Sequence, residues 1–308
     1  MTFKNSLKLL CTNFDQVWKL LVYHILSFAL CFGFLAIFGV QYVEYVNLAS
    51  SEVELPSVLE QGTLYGSSFA GALTTIVNFA LAFFRIMFDS SIGIGIFFCI
   101  IIFVLLPLLL NIGKVVTCEL AYGYMSACQK QSFTGTLLKT LKVSLPYALI
   151  KLLYVIPFNF ITLFCVYGLT RLNFTGLEIL FPFVFVFAVA VLCAFKEIFN
   201  VGWAPAQVVY NCGTFKSFRI GFRAVLRKWE SIFSTAFVIF ILAIVLSMVT
   251  GIYSLIIILP LISPLFHIFE MTAFFQSQGM RYYVDSQTIV SPKRLEENDK
   301  IDDIKYLL

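Results

Sequence analysis

Six long apolar runs divide this chain, and short stretches carrying most of the charge separate them. A helix needs about 20 mostly apolar residues to cross a bilayer. The pattern therefore predicts spans at about 17–40, 91–112, 144–168, 177–198, 231–250 and 252–275. Gly251 leaves room for only a tight turn between the last two. A further apolar run, 67–88, holds Thr74, Thr75, Asn78 and Arg85 and follows an acidic loop with Glu44, Glu52, Glu54 and Glu60. The parity of the crossings decides how this run is read. If it does not span, both termini share one side, with 19 of the 21 Lys and Arg residues, and only Arg85 and Arg171 lie opposite. The positive-inside rule makes the rich side cytoplasmic. If it does span, Lys4, Lys8 and Lys19 fall opposite the basic blocks that begin at Lys114, and no orientation satisfies the rule. Residues 67–88 are therefore predicted as an interfacial or re-entrant helix on the outer side, with Arg85 and Asp89 paired one turn apart.

Periodicity in the polar joints adds a second layer. FKNSLKLLCTNF from Phe3, FTGTLLKTLKVS from Phe133 and FKSFRIGFRAVL from Phe215 each mix apolar positions at helical spacing with Lys, Arg, Ser or Thr. Each leads into an odd-numbered span. A shift of 82 residues lays Lys114 on Lys196 and Phe133 on Phe215. The fold class expected is all-α integral membrane: six transmembrane helices as three hairpins, each preceded by an amphipathic interfacial helix. Residues 1–290 form the membrane domain, and 291–308 a charged cytoplasmic tail. The tail opens with Ser291 and Pro292, a helix-start signal, and its acids complement the basic joints.

Composition agrees with this layout. The chain of 308 residues is 60% hydrophobic and 12% charged, with a mean hydropathy of +0.93. A soluble domain is about a quarter charged, so hydrocarbon must solvate many of these side chains. The first apolar run is too long for a signal-peptide core and lacks a small-residue cleavage site, which reads as a retained anchor. Eight Cys stand singly, with no CxxC spacing, and read as small apolar fillers. With only two His, the sequence implies no metal and no cofactor.

The strongest joint is the third. Phe215, Phe218, Phe222, Val225 and Trp229 share one helical face, and Lys216, Arg219, Arg223 and Arg227 another. That predicts a helix lying in the interface, aromatics in the acyl boundary and cations at phosphate depth. Lys216, Arg219, Arg223, Arg227 and Lys228 are the expected contacts to anionic headgroups. The phospholipid bilayer is the expected partner, with a membrane-protein partner left open. Nucleic acid is excluded, since the aromatic face is better used by lipid or by other helices.

The surrounding stretch, WAPAQVVYNCGTFKSFRIGFRAVLRKW from Trp203 to Trp229, resembles a motif in a broad set of six-helix bacterial membrane proteins. Some of these are uncharacterised inner-membrane proteins, and others form the membrane domain of certain glycerophosphodiester phosphodiesterases. The shared pieces are Ala204 with Pro205, Val208 with Val209, and Gly213 before a basic amphipathic helix. The resemblance implies a bacterial plasma-membrane protein. It does not carry over the phosphodiesterase activity, whose soluble domain has no counterpart here.

Polar residues at membrane depth invite a functional reading. Lys114, Lys151, Lys196 and Glu197 lie near predicted cytoplasmic ends and read as interface anchors that snorkel. His24, Pro260, Pro264, His267 and Glu270 are the candidate cavity or pathway residues. His267 and Glu270 share a face, and the two prolines are expected to break the last helix. No G-x-S-x-G, H-E-x-x-H or P-loop is present. Glu119, Glu197 and Glu270 offer carboxylates that no spacing pairs, so no catalytic residue is assigned. The leading expectation is a non-enzymatic multi-pass plasma-membrane protein with both termini cytoplasmic, serving envelope or lipid homeostasis or a membrane complex. The alternatives are a transporter or permease for a small or lipophilic substrate, and a lipid-modifying enzyme.

Overall fold

The computed structural model describes residues 2–53, 69–170, 181–250 and 254–290. The fold is all-α apart from one small hairpin. In chain order the helices are α1 (Thr2–Thr12), α2 (Phe14–Leu35), α3 (Gly39–Val53), α4 (Phe69–Ser90), α5 (Ile92–Cys99), α6 (Leu106–Ala127), α7 (Phe133–Thr170), α8 (Phe181–Ile198), α9 (Trp203–Tyr210), α10 (Thr214–Arg227), α11 (Trp229–Thr250) and α12 (Ser254–Ser277). Strands β1 (Tyr282–Tyr283) and β2 (Ile289–Val290) pair antiparallel. Among the described residues, five helical runs are long and apolar enough to cross a membrane: Val17–Val53, Ile92–Ala127, Phe133–Leu169, Phe183–Tyr210 and Trp229–Leu246. This is a membrane-embedded chain. The predicted sixth span falls on α12, whose side chains are described from Ile262 onward.

Several boundaries differ from the expectation. The first apolar run does not stop near residue 40. After a short 3-10 turn, Ala36–Phe38, it continues as α3, because Tyr45 and Ala49 supply a buried face at helical spacing. The joint at Phe133 is no separate surface helix but the first turns of the 38-residue α7. Among the described residues, distinct amphipathic helices precede a span only as α1 and α10. Nor are the three leading phenylalanines equivalent: Phe133 is 8% exposed and Phe215 76%. α12 runs unbroken through Pro260 and Pro264, so the last helix is not split. The tail 291–308 and the loop 54–68 lie outside the described residues.

The chain divides into two compact units. The first comprises Met1–Val22, Ile112–Tyr147 and Ala194–Leu308, and the second Tyr23–Asn111 and Ala148–Cys193. Charge divides with them. Of the 21 Lys and Arg residues only Arg85, Lys151 and Arg171 belong to the second unit, leaving 18 in the first. Of the 17 acids, Glu44, Glu52, Glu54, Glu60, Asp89 and Glu178 belong to the second unit, leaving 11. The first unit is thus +7 and the second −3, which together make the chain's +4.

The second unit is held by rings and aliphatic contacts. Cys31, Leu35 and Ile101 are buried among Tyr42, Phe97, Phe98 and Leu105. Phe98 takes edge contacts from Phe83 (5.6 Å) and Phe84 (6.0 Å), geometry that aromatic quadrupoles favour. α4 forms where 67–88 was predicted, and packs on α3. Arg85 pairs with Glu52 of α3, not with Asp89 as the spacing had suggested. Ser91, in extended backbone, accepts from the Ile94 N–H and so starts α5. A π turn at Ile100–Leu105 joins α5 to α6 just before Pro107. That ring lacks an N–H and crowds the carbonyl four residues back, which a widened turn relieves. Outward faces are strongly apolar, with Leu153 73% exposed and Phe164 77%, as hydrocarbon solvent requires.

The first unit is built around the second half of α12, where every residue from Pro264 to Phe275 is buried. α1, α10 and α11 pack on that helix. Its apolar core joins Ile198, Val225, Ile232, Ile239, Phe269 and Ala273. α1 is fastened by a 2.7 Å bond between Ser6 Oγ and Thr272 Oγ1. The hairpin then ties back onto α1: Asn5 Nδ2 donates to Tyr282 Oη at 2.8 Å, and Thr12 Oγ1 to the Val284 carbonyl at 3.3 Å. Lys8 pairs with Asp285. That ammonium, with the Gln287 and Thr288 N–H groups, holds the Asp285 carboxyl well below the usual carboxylate range.

Candidate functional site: a buried ion pair in the polar unit

The site begins on α6. Residues Ile112 to Cys118 are buried on every side of the helix, so Lys114 has no route to solvent. Gly113 and Cys118 are small enough to admit close neighbours, and Thr117 Oγ1 returns its hydrogen bond to the Gly113 carbonyl at 2.8 Å. Lys114 therefore meets a partner inside the protein. Its Nζ lies 2.5 Å from Glu270 Oε1, with the side chains 3% and 0% exposed. α12 supplies Glu270 from the middle of its buried stretch, flanked by Phe269 and Met271, each 0% exposed.

Two more helices face the same lysine. Tyr147 of α7, fully buried, and Glu197 of α8 are within electrostatic reach of Lys114. Glu197 also lies 3.8 Å from Lys196. Two lysines and two glutamates thus alternate in one neutral network. Lys114 and Lys196 are the pair that the 82-residue shift superposes. Burying two charges costs several kcal/mol per ion, and close pairing offsets it only with good geometry. Removing one partner leaves the other charge uncompensated, a loss of about 3–5 kcal/mol. A cavity of about 30 Å³ lies beside α12, lined by Leu9, Asn13, Val17, Thr117 and Pro264. It has room for water. The arrangement holds α6, α7, α8 and α12 in fixed register around one charge.

α9 and α10 brace the network from below in sequence. Asn211 adopts a left-handed conformation, φ 44°, that ends α9 and turns the chain. Gly202 and Gly221 then bring backbone against backbone: a Cβ on Gly221 would stand 2.3 Å from the Gly202 carbonyl oxygen. Trp203 Nε1 donates to the Thr214 carbonyl at 2.9 Å, and Gln207 Nε2 to the Val143 carbonyl at 3.3 Å. Tyr147 sets its ring edge-on to Trp203 at 5.2 Å. The Trp203–Trp229 stretch is thus a packed helix–turn–helix.

This changes the reading of α10. Its buried face is Thr214, Ser217, Gly221, Ala224 and Val225. Phe218 packs on Trp203 at 4.9 Å, and Phe222 stacks on Phe199 at 5.9 Å. Trp229 continues the series onto Phe233 at 6.2 Å. These rings, expected in the acyl boundary, are spent on protein, and of that face only Phe215 is fully outward. Lys216, Arg219, Arg223 and Arg227 are exposed, as a headgroup surface requires. Lys228 departs from them. Its Nζ donates to the Gln276 carbonyl at 2.7 Å, at the negative end of the α12 dipole, and burial lowers its pKa.

The remaining pathway candidates scatter. His24 belongs to the second unit and His267, Pro264 and Glu270 to the first. His24 is 2% exposed, and neither ring nitrogen has a hydrogen-bond partner among the described residues. Glu270 pairs with Lys114. Pro260 lies in α12, and its side chain is outside the described set. All eight cysteines are free thiols. Among the described residues no group of three or more His, Cys, Asp or Glu could hold a metal ion. The site that sequence reasoning missed is Lys114 itself, read as a snorkelling anchor. Its immediate neighbours Ile112, Gly113, Val115 and Val116 are small or apolar, which a snorkelling anchor shares. No model of a protein family, no curated protein and no solved structure matches the chain.

Proposed function

We propose that this chain is a non-enzymatic multi-pass protein of a bacterial plasma membrane, with six crossings, three hairpins and both termini cytoplasmic. Its role in this reading is envelope or lipid homeostasis, as a partner subunit or scaffold, in keeping with the membrane proteins that its Trp203–Trp229 stretch resembles. The observation that carries the proposal is the division of charge. One unit has net charge +7, with exposed cations along α10 and at Lys139 and Lys142 of α7, and the other has net charge −3 and apolar outer faces. Cations gather on the cytoplasmic side of membrane proteins and meet anionic headgroups there. The closed Lys114–Glu270 pair supports a structural centre in place of a reaction centre. Two experiments test the proposal. Cysteines placed singly at 54–66 should react with an impermeant reagent in intact cells, and a cysteine near Arg223 should not. Deletion of the gene should alter the lipid or envelope profile; an unchanged profile with reversed labelling would remove the reading.

One observation favours a second reading, a transporter. Four helices converge on a buried Lys–Glu pair, and intramembrane ionisable groups serve ion and substrate pathways by default. That reading requires the charges themselves. A neutral Lys114→Met/Glu270→Leu chain that inserts normally but loses the deletion phenotype's rescue would favour it.

A further inference from the structure

The second unit holds a polar crevice that neither the ion-pair network nor the basic helices use. It lies between α3 and α4, has a volume of about 210 Å³, and is lined by Glu52, Val53, Asn78, Leu81, Ala82 and Arg85. Opposite charges face each other across it, Glu52 on α3 and Arg85 on α4. Asn78 adds a carboxamide that can donate and accept. Glu52 and Arg85 are 42% and 62% exposed, so a ligand reaches both. Such an exposed pair is weak by itself, and exchanging it for a ligand's charges costs little.

We propose that this crevice seats the headgroup of a zwitterionic phospholipid. The phosphate takes the Arg85 guanidinium, a planar fork suited to phosphate oxygens. The primary ammonium takes the Glu52 carboxylate, and Asn78 completes the polar wall. A lipid is favoured over a free zwitterion because the rim is apolar. Leu81 is 53% exposed at the crevice, and along α3 Val43, Val46 and Leu48 are 61%, 40% and 48% exposed. Those side chains give the acyl tails a surface next to the charged seat. The seat needs both signs. A lipid with phosphate but no ammonium leaves Glu52 facing an anion, which disfavours it.

The test uses the full chain, purified in detergent and titrated with defined lipids, bound lipid being counted by native mass spectrometry. Phosphatidylethanolamine should bind about 10-fold more tightly than phosphatidylglycerol, as loss of one charge-assisted contact implies. Glu52→Gln should erase that preference, and Arg85→Gln should weaken both lipids. Leu81→Trp, which fills the crevice and keeps the charges, should block both. Thermal melting of the three variants should match the parent, since an exposed pair contributes little. Equal binding of the two lipids by the parent, or an unchanged preference in Glu52→Gln, overturns the proposal. So does free phosphoethanolamine that stabilises the parent as well as the lipid does.

Discussion

The two units of this chain solve the problem of stability in opposite ways. The second is largely apolar inside and out, with His24, Ser27 and Lys151 as its buried polar side chains among the described residues. Its interior is rings and aliphatic side chains around Phe98 and Ile101, and its exterior shows Phe164 and Leu153 almost bare. The first hides polar groups and exposes charge. Ser6, Lys114, Thr136, Ser144, Ser217, Glu270, Thr272 and Ser277 are all buried there, and four cations of α10 face outward. In lipid, apolar surface gains nothing from being covered, so the second unit can leave large side chains bare. Specific polar contacts must fix register, and the first unit supplies them. The difference shows where substitutions should hurt.

The largest contrast is between a buried and an exposed truncation to alanine. Phe269→Ala, at 0% exposure in the first unit, should cost about 3–5 kcal/mol. Leu153→Ala, 73% exposed in the second, should stay within about 0.5 kcal/mol. Melting of both in one detergent checks this, and equal losses would break the comparison. Next comes Gly221→Ala. The added methyl meets the Gly202 carbonyl at 2.3 Å, and backbone cannot swing aside as a side chain can. A loss of about 2–3 kcal/mol is expected, read as a lower melting temperature and reduced insertion yield.

How much of this was legible in the sequence follows the same divide. Apolar length marks helices reliably, so the runs at 91–112, 144–168 and 231–250 fall on helices where they were placed. Helix ends were less legible. Nothing in Val40 to Val53 stops a helix, and α3 continues through a stretch assigned to a loop. Pro260 and Pro264 look like breaks, yet α12 runs unbroken through both. Periodicity named the two faces of α10 but not their neighbours: Gly202 and Phe199, about twenty positions earlier, turned the aromatic face inward. The Lys114–Glu270 pair was illegible for the same reason. Its members are 156 positions apart, and a lysine near a helix end looks alike whether it snorkels or is enclosed.

Smaller effects sharpen the picture of the first unit. Trp203→Phe keeps the ring stack but removes the donor to the Thr214 carbonyl, a loss of about 1–2 kcal/mol. The pH dependence of the hairpin comes last. Asp285 has its pKa lowered on folding by Lys8 and by backbone N–H groups. Its ionised form therefore favours the docked hairpin. The contribution is complete above the unfolded carboxylate value of about 3.9 and is lost as pH falls through the lower folded value. Hydrogen exchange at 282–290 should rise below about pH 4, and Asp285→Asn should show that rise already at neutral pH.

The central claim is that the buried ion pair locks the first unit, and a double-mutant cycle tests it most directly. Lys114→Met and Glu270→Leu should each lower stability by about 3–5 kcal/mol. The double variant, with both charges gone, should recover most of that loss, giving a coupling of at least about 2 kcal/mol. Single variants that melt with the parent, or a double variant whose loss is the sum of the two, would contradict the lock.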